Sequence, residues 1–263
     1  MLYLVASGGG FMATMDEFRK EREAIKNGTL KQKLSYFWDY YKWYVIIPLI
    51  IIIAVGSTIY HKLTDPETIL NGVLLNCYNT EKQDATLEFM ESFYEAHDID
   101  TKEYKADFNT TLSYSTDENA ASSNYSTMQV LMAWTGAGTL DFLTGNLDAM
   151  VDLSYRSYFV DLTSILTEEQ IKQYEPYFLY MDEAVIEKRS EAFDKGEDTE
   201  SIPVPDATKP ETMEKPIPVM IDMSQSGKLT EVYGDSGNAL TFGIVANAPN
   251  TDMVLNFIDF LME

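Results

Sequence analysis

Several chemical resources are scarce in this chain of 263 residues. There is one cysteine, Cys77. It cannot close a disulfide within the chain, so a disulfide-stapled secreted module is excluded. There are two histidines, His61 and His97. With so few, a Ser/His/Asp triad or a zinc centre has almost nothing to draw on. His61 abuts an apolar run, and His97 ends a helical segment whose last carbonyls favour a cation. No Walker loop and no G-x-G-x-x-G occurs, so no phosphate-cradling loop is readable. Positive charge is also short: 19 Lys and Arg stand against 42 Asp and Glu, a net charge of −23. Such a chain repels nucleic acid, which needs clustered cations on its phosphates, and it repels anionic lipid headgroups. The abundant acids single out no glycosidase-type pair. The acidic stretch 194–200 lacks EF-hand spacing and reads as a solvated loop. These absences predict a chain that is not an enzyme and carries no metal, no cofactor and no nucleic acid.

What the chain does have is a long apolar run at residues 44–60, uncharged throughout, with Tyr44 and Tyr60 at its ends. Its 17 residues reach the lower limit of the ~17–25 that cross a hydrocarbon core. Tyr36, Phe37, Trp38, Tyr40, Tyr41 and Trp43 crowd the preceding edge, as aromatic side chains do at a membrane interface. Pro48 is expected near the helix start, where its missing N–H matters least. Charge is divided by the run. Up to Lys42 there are seven Lys and Arg against five acids; from Leu63 onward, eleven against thirty-seven. Cations stay on the cytoplasmic side, which predicts a cytoplasmic N-terminus and an extracellular C-terminal domain at a bacterial plasma membrane. The predicted organisation is a basic cytoplasmic segment at 15–42, a transmembrane signal-anchor at 43–61 and an α/β domain at 65–263. Residues 1–14 differ in character, apolar and glycine-rich, so the natural start is expected at Met12 or Met15. Ala54-Val55-Gly56 has the small-x-small form of a signal cleavage site, which keeps removal after Gly56 open beside retention.

Beyond the span, residues 68–78 read as a buried strand with Cys77 at its end, and 81–97 as a helix. Residues 102–114 alternate as a second strand, 119–134 read as a helix and 139–143 as a third strand. This order predicts an α/β domain with a mostly parallel sheet. Thr167 and Gln170 have the capping-box spacing, with Leu166 and Ile171 placed as its hydrophobic staple. Residues 188–218 are charged and contain five prolines, and read as an exposed excursion. Residues 219–223 and 241–246 read as late strands. Residues 251–262 read as a helix burying Val254, Phe257, Ile258 and Leu261.

Three stretches together resemble the type II extracellular solute-binding proteins of ABC transporters. They are 136–142 (GAGTLDF), 158–163 (YFVDLT), and 218–224 (PVMIDMS) with 242–250 (FGIVANAPN). The resemblance runs from about Ile69 to the end of the chain. It implies one lobe of such a protein with an abbreviated second lobe, because the stretch between Asp161 and Val219 is short, charged and proline-rich.

In open α/β sheets, ligands sit beyond the carboxyl ends of the strands. That rule nominates Tyr78, Asn79 and Thr80 after the first strand, Thr144 and Gly145 after the third, and Asp222, Met223 and Ser224 after a late one. Tyr78 would stack on a sugar or peptide and Asp222 would accept hydrogen bonds; the other reading is a turn cluster that holds no ligand. Two functions follow. One is a non-enzymatic interaction module, derived from a solute-binding protein, that binds a membrane or envelope protein. The other is a tethered binding protein for a small solute or peptide in import or sensing. In both, the chain meets the lipid bilayer through Tyr44 to Tyr60.

Overall fold

The computed structural model describes residues 28–77, 83–117, 120–199, 201–234 and 240–263. The chain divides into two units, Met1–Asp65 and Pro66–Glu263. The expectations for residues 1–14, and for the basic segment before residue 28, lie outside the described residues.

Among the described residues, the first unit contributes one helix, α1 (Leu30–Thr64). Within it, Lys42–Tyr60 is long and apolar enough to cross a membrane by length and composition, and none of it is buried. Pro48 is not near the start of this helix but well inside it. The aromatic segment and the apolar run form one continuous helix, so Pro48 removes an interior N–H donor. Hydroxyls toward the end are satisfied locally: Thr58 Oγ1 donates to the Ala54 carbonyl at 2.8 Å and Thr64 Oγ1 to the Tyr60 carbonyl at 2.5 Å.

The second unit runs β1 (Glu67–Leu74), α2 (Gln83–Ala96), β2 (Tyr104–Asn109), α3 (Ala121–Gly136), β3 (Phe142–Asn146) and α4 (Leu147–Ser154). It continues with α5 (Glu168–Tyr174), β4 (Phe178–Asp182), α6 (Glu183–Lys195), β5 (Pro216–Asp222), α7 (Gly227–Tyr233), β6 (Leu240–Ile244) and α8 (Thr251–Met262). The six strands form a single sheet in the order β2-β1-β3-β6-β5-β4. The expected α/β class is present, but the sheet is mixed rather than mostly parallel. β1 pairs in parallel with β2 and β3, whereas the β3–β6, β6–β5 and β5–β4 pairings are antiparallel. The reason lies in the connections. Helices α2 and α3 make the long crossovers that parallel neighbours require, while β6 inserts between β3 and β5 running the opposite way. The stretch expected to form an abbreviated second lobe instead adds β4 and α6 to this same sheet.

Helices cover both faces. On one, Leu70, Leu74, Phe142, Phe242 and Ile221 pack with α2, α7 and α8. On the other, Val73, Leu75, Leu143, Val219 and Met220 pack with α3 and α4. Aromatic rings dominate the first face: Phe142 and Phe242 stack with centroids 4.8 Å apart, and Phe257 meets Phe93 edge-on at 5.0 Å. Gly72 makes room for this cluster, since a Cβ there would fall 2.0 Å from the Phe142 ring. The stripe Val254, Phe257, Ile258 and Leu261 of α8 is buried, as its spacing predicts. His97 follows α2 with its ring 4.7 Å from Phe93, and Cys77 is buried beyond β1.

The capping box is in place: Thr167 Oγ1 accepts from Gln170 N at 3.3 Å, and Gln170 Oε1 accepts from Thr167 N at 3.0 Å. Residues 188–218 hold more order than their composition suggests. α6 extends to Lys195, Ala207 is buried with its carbonyl bonded to Tyr180 N at 2.9 Å, and β5 begins at Pro216. Asp182 anchors this region from the start of α6. Burial pushes its carboxyl up, but the N–H groups of Glu214, Lys215 and Ala184 outweigh that and hold it below its ordinary value.

A divided carboxyl edge and its open groove

Strands β1, β2, β3 and β5 all run the same way, so their carboxyl ends share one edge of the sheet. Thr241 of β6 pairs with Gly145 on one side and with Asp222 on the other. The nominated residues of β3 and β5 are therefore brought together, one strand apart. Tyr78, Asn79 and Thr80 lie outside the described residues.

That half of the edge is closed. Thr144 is fully buried, with its hydroxyl 2.7 Å from the Tyr233 hydroxyl. Burial drives the Tyr233 phenol well above its ordinary pKa. A Cβ on Gly145 would come within 3.2 Å of Leu75. Met223 is buried and donates its N–H to the Leu240 carbonyl at 2.8 Å. Asp222 Oδ1 accepts from Ser224 N at 2.8 Å, closing its own turn, and Ser224 alone of the nominated residues among those described is exposed. The cover is α7: Ser226 accepts from Leu229 N at its start, and Leu229, Val232 and Tyr233 are buried. Thr144, Gly145 and Met223 thus belong to the core.

The other half, beyond β1, β2 and β3, is built differently. Asn76 sits just past β1 at φ 60°, a left-handed conformation that Asn tolerates better than most residues. Its Oδ1 accepts from Tyr114 N at 2.9 Å; its Nδ2 donates to the Tyr114 carbonyl at 2.7 Å and to Asn146 Oδ1 at 2.8 Å. One side chain thereby ties the exits of all three strands. Tyr114 is buried, and its hydroxyl donates to Asp152 of α4. Burial first, then the Asp152 carboxylate, pushes the Tyr114 phenol up to about 12. Asp152 also accepts from Arg156 Nε at 2.9 Å. From α6, Arg189 lays its guanidinium over the Tyr155 ring at 5.5 Å and donates Nη2 to the Ile202 carbonyl at 3.3 Å. Its Nε is buried and has no hydrogen-bond partner among the described residues. Asn124 of α3 holds the facing loop, donating to the Ser115 carbonyl at 2.6 Å and accepting from Ser115 N at 3.0 Å.

These elements enclose a groove of about 600 Å³, with Arg156 and Arg189 in its lining and the exposed Tyr125 at its side. A second groove of about 470 Å³ adjoins it, sharing Thr116 and Asp152 and running between α4 and residues 204–207. Arg156 and Arg189 are the two arginines of the Pro66–Glu263 unit, and both line this groove. The carboxyl-edge rule did not nominate these residues, which come from α6 and from the turn after α4. Two arginines in a stretch with thirty-seven acids were the available signal.

Chemically, the groove offers guanidinium edges and an aromatic ring. The Asp152 carboxylate is already engaged by Tyr114 and Arg156. Among the described residues, no group of three His, Cys, Asp or Glu side chains is placed to hold a metal ion. No family model, curated protein or solved structure matches this chain.

Proposed function

We propose that this chain is a single-pass membrane protein whose outer α/β unit is a non-enzymatic interaction module, descended from a solute-binding lobe, that docks a protein of the cell envelope. The observation that carries this reading is the closed half of the carboxyl edge. A solute clamped between two lobes needs that edge open, and here Tyr233 and Thr144 occupy it with a buried hydrogen bond of their own. The descent is supported by the parallel β2-β1-β3 block and by Asp141. Two stretches that resemble the solute-binding family meet at this residue: its buried carboxylate accepts from Asn250 N at 2.8 Å and from Asn71 N at 2.7 Å. The tether is the apolar stretch Lys42–Tyr60, and the cations before it favour a cytoplasmic N-terminus.

A second reading, a tethered receptor for a small solute or peptide, is favoured by one observation. The open groove, about 600 Å³, falls within the ~300–1,000 Å³ typical of ligand pockets.

Both readings can be tested on the full chain in its native membrane. Amine-reactive cross-linking is expected to yield one reproducible adduct with an envelope protein. A panel of amino acids, sugars and other small solutes is expected to leave the melting temperature of the detergent-purified chain unchanged. A saturable upward shift with one solute, of the size that ~2.7 kcal/mol at a hundredfold excess over Kd produces, would sink the interaction reading.

A further inference from the structure

We infer that the groove at Arg156 and Arg189 is a binding site for a carboxylate, carried on an extended, otherwise neutral or basic peptide segment. The source of the carboxylate rests on the interaction-module reading; the chemistry of the site does not.

The first argument is charge. The unit is dominated by acids, so an anion reaching most of its surface meets repulsion. Yet its two arginines converge on one groove. Arg156 is neutralised by Asp152, whereas Arg189 has no carboxylate within ion-pair distance among the described residues. The Arg189 guanidinium lies over the Tyr155 ring and spends Nη2 on the Ile202 carbonyl, so its position is fixed, and a guanidinium is the donor that a carboxylate matches.

The second argument is shape. A second groove lies on the other side of Thr116 and Asp152, so the two together offer more length than one carboxylate or a small acid would occupy. An extended backbone suits a trough of this kind. Tyr125, exposed in the lining of the same groove, offers the apolar body and polar tip common at protein contacts.

The third argument sets the composition of the segment. The trough also contains Asp117, Asp148 and Asp206. A polyanion would meet these, so the segment carries one carboxylate at the arginines and neutral or basic residues elsewhere.

The test uses the full chain in detergent and an array of fluorescent decapeptides. Each peptide contains a single Glu among neutral and basic residues and is paired with a Gln twin. At least some pairs are expected to show the Glu form binding tenfold or more tightly than its twin. The preference should vanish in Arg156→Gln/Arg189→Gln and weaken in Arg189→Lys, which keeps the charge and loses the fork. If the double substitution unfolds the chain, Arg189→Gln alone carries the measurement, because Arg189 makes no ion pair among the described residues. No discrimination anywhere in the array, or discrimination that survives in the arginine variants, overturns the site. Displacement of a bound peptide by succinate at a concentration near the peptide's own Kd overturns the peptide as the source, in favour of a free dicarboxylate. If the arginine variants still form the membrane adduct, the groove assignment falls and the interaction module stands.

Discussion

The two halves of the carboxyl edge differ although they belong to one sheet. Toward β5, polar groups turn inward: Thr144 of β3 and Tyr233 of α7 bond to each other inside the core. On the β1–β3 side, Asn76, Tyr114, Asp152 and Arg156 form a chain of hydrogen bonds that leads out to a groove. The strand ends are alike; the covering helices are not. α7 carries Leu229, Val232 and Tyr233 onto one half, while α3, α4 and α6 stand around the other and leave space. An edge that could hold a ligand does so only where no helix fills it.

The comparison can be broken by substitution. Tyr233→Ala should have the largest effect, since deleting a buried aromatic ring costs roughly 3–5 kcal/mol. Denaturant unfolding of the full chain in detergent measures it, and a cost under about 1 kcal/mol would mean that the half is not closed by this ring. Thr144→Val keeps the volume but strands the Tyr233 hydroxyl in the core, for about 1–3 kcal/mol. Asn76→Gly retains the left-handed backbone while deleting the side-chain ties, and should cost about the same on the open half. If it costs nothing, the open half is not organised by Asn76.

Alkaline titration sharpens the contrast. The Tyr114 phenol is raised in the folded chain, so its contribution is fully present below the ordinary tyrosine pKa of about 10 and is lost as pH rises toward about 12. Stability followed from pH 9 to 12 should fall less steeply in Tyr114→Phe than in the parent. The smallest effect is expected at Arg189→Gln. Stability should change by about 1 kcal/mol, within the ~0.5–2 kcal/mol range of a cation–aromatic contact, while carboxylate recognition is lost. A large loss of stability would make Arg189 structural.

Much of the fold was legible because it is local. The apolar run, the strands at β1 and β3, the capping box at Thr167 and the buried stripe of α8 each follow from residue periodicity or a short motif. Three features were not legible. α4 follows β3 with no intervening loop, and Asn146, at its N-cap position, spends its side chain on Asn76 instead of on the helix. β4 is only five residues long, too short for its pattern to stand out from the helix-start signal before it. Prolines made 188–218 look like a loop, yet Pro216 and Pro218 lie in β5. They are tolerated because β6 pairs only with Ile221 and Asp222, leaving the proline end of β5 with β4 as its one strand neighbour.

The groove shows the same limit. Arg156 and Arg189 are separated by thirty-two intervening residues, one in the turn after α4 and the other in α6. Nothing in their immediate neighbours pairs them. By itself, the sequence determined the apolar helix, the charge contrast across it, the α/β class and the scarcity of histidine, because each depends on composition or short-range spacing. Tertiary structure alone decided the mixed sheet, the burial of Thr144, Gly145 and Met223, and the placing of the two arginines in one groove. Those depend on which helix packs over which strand end, and packing is a contest among distant segments that no single stretch of the chain records.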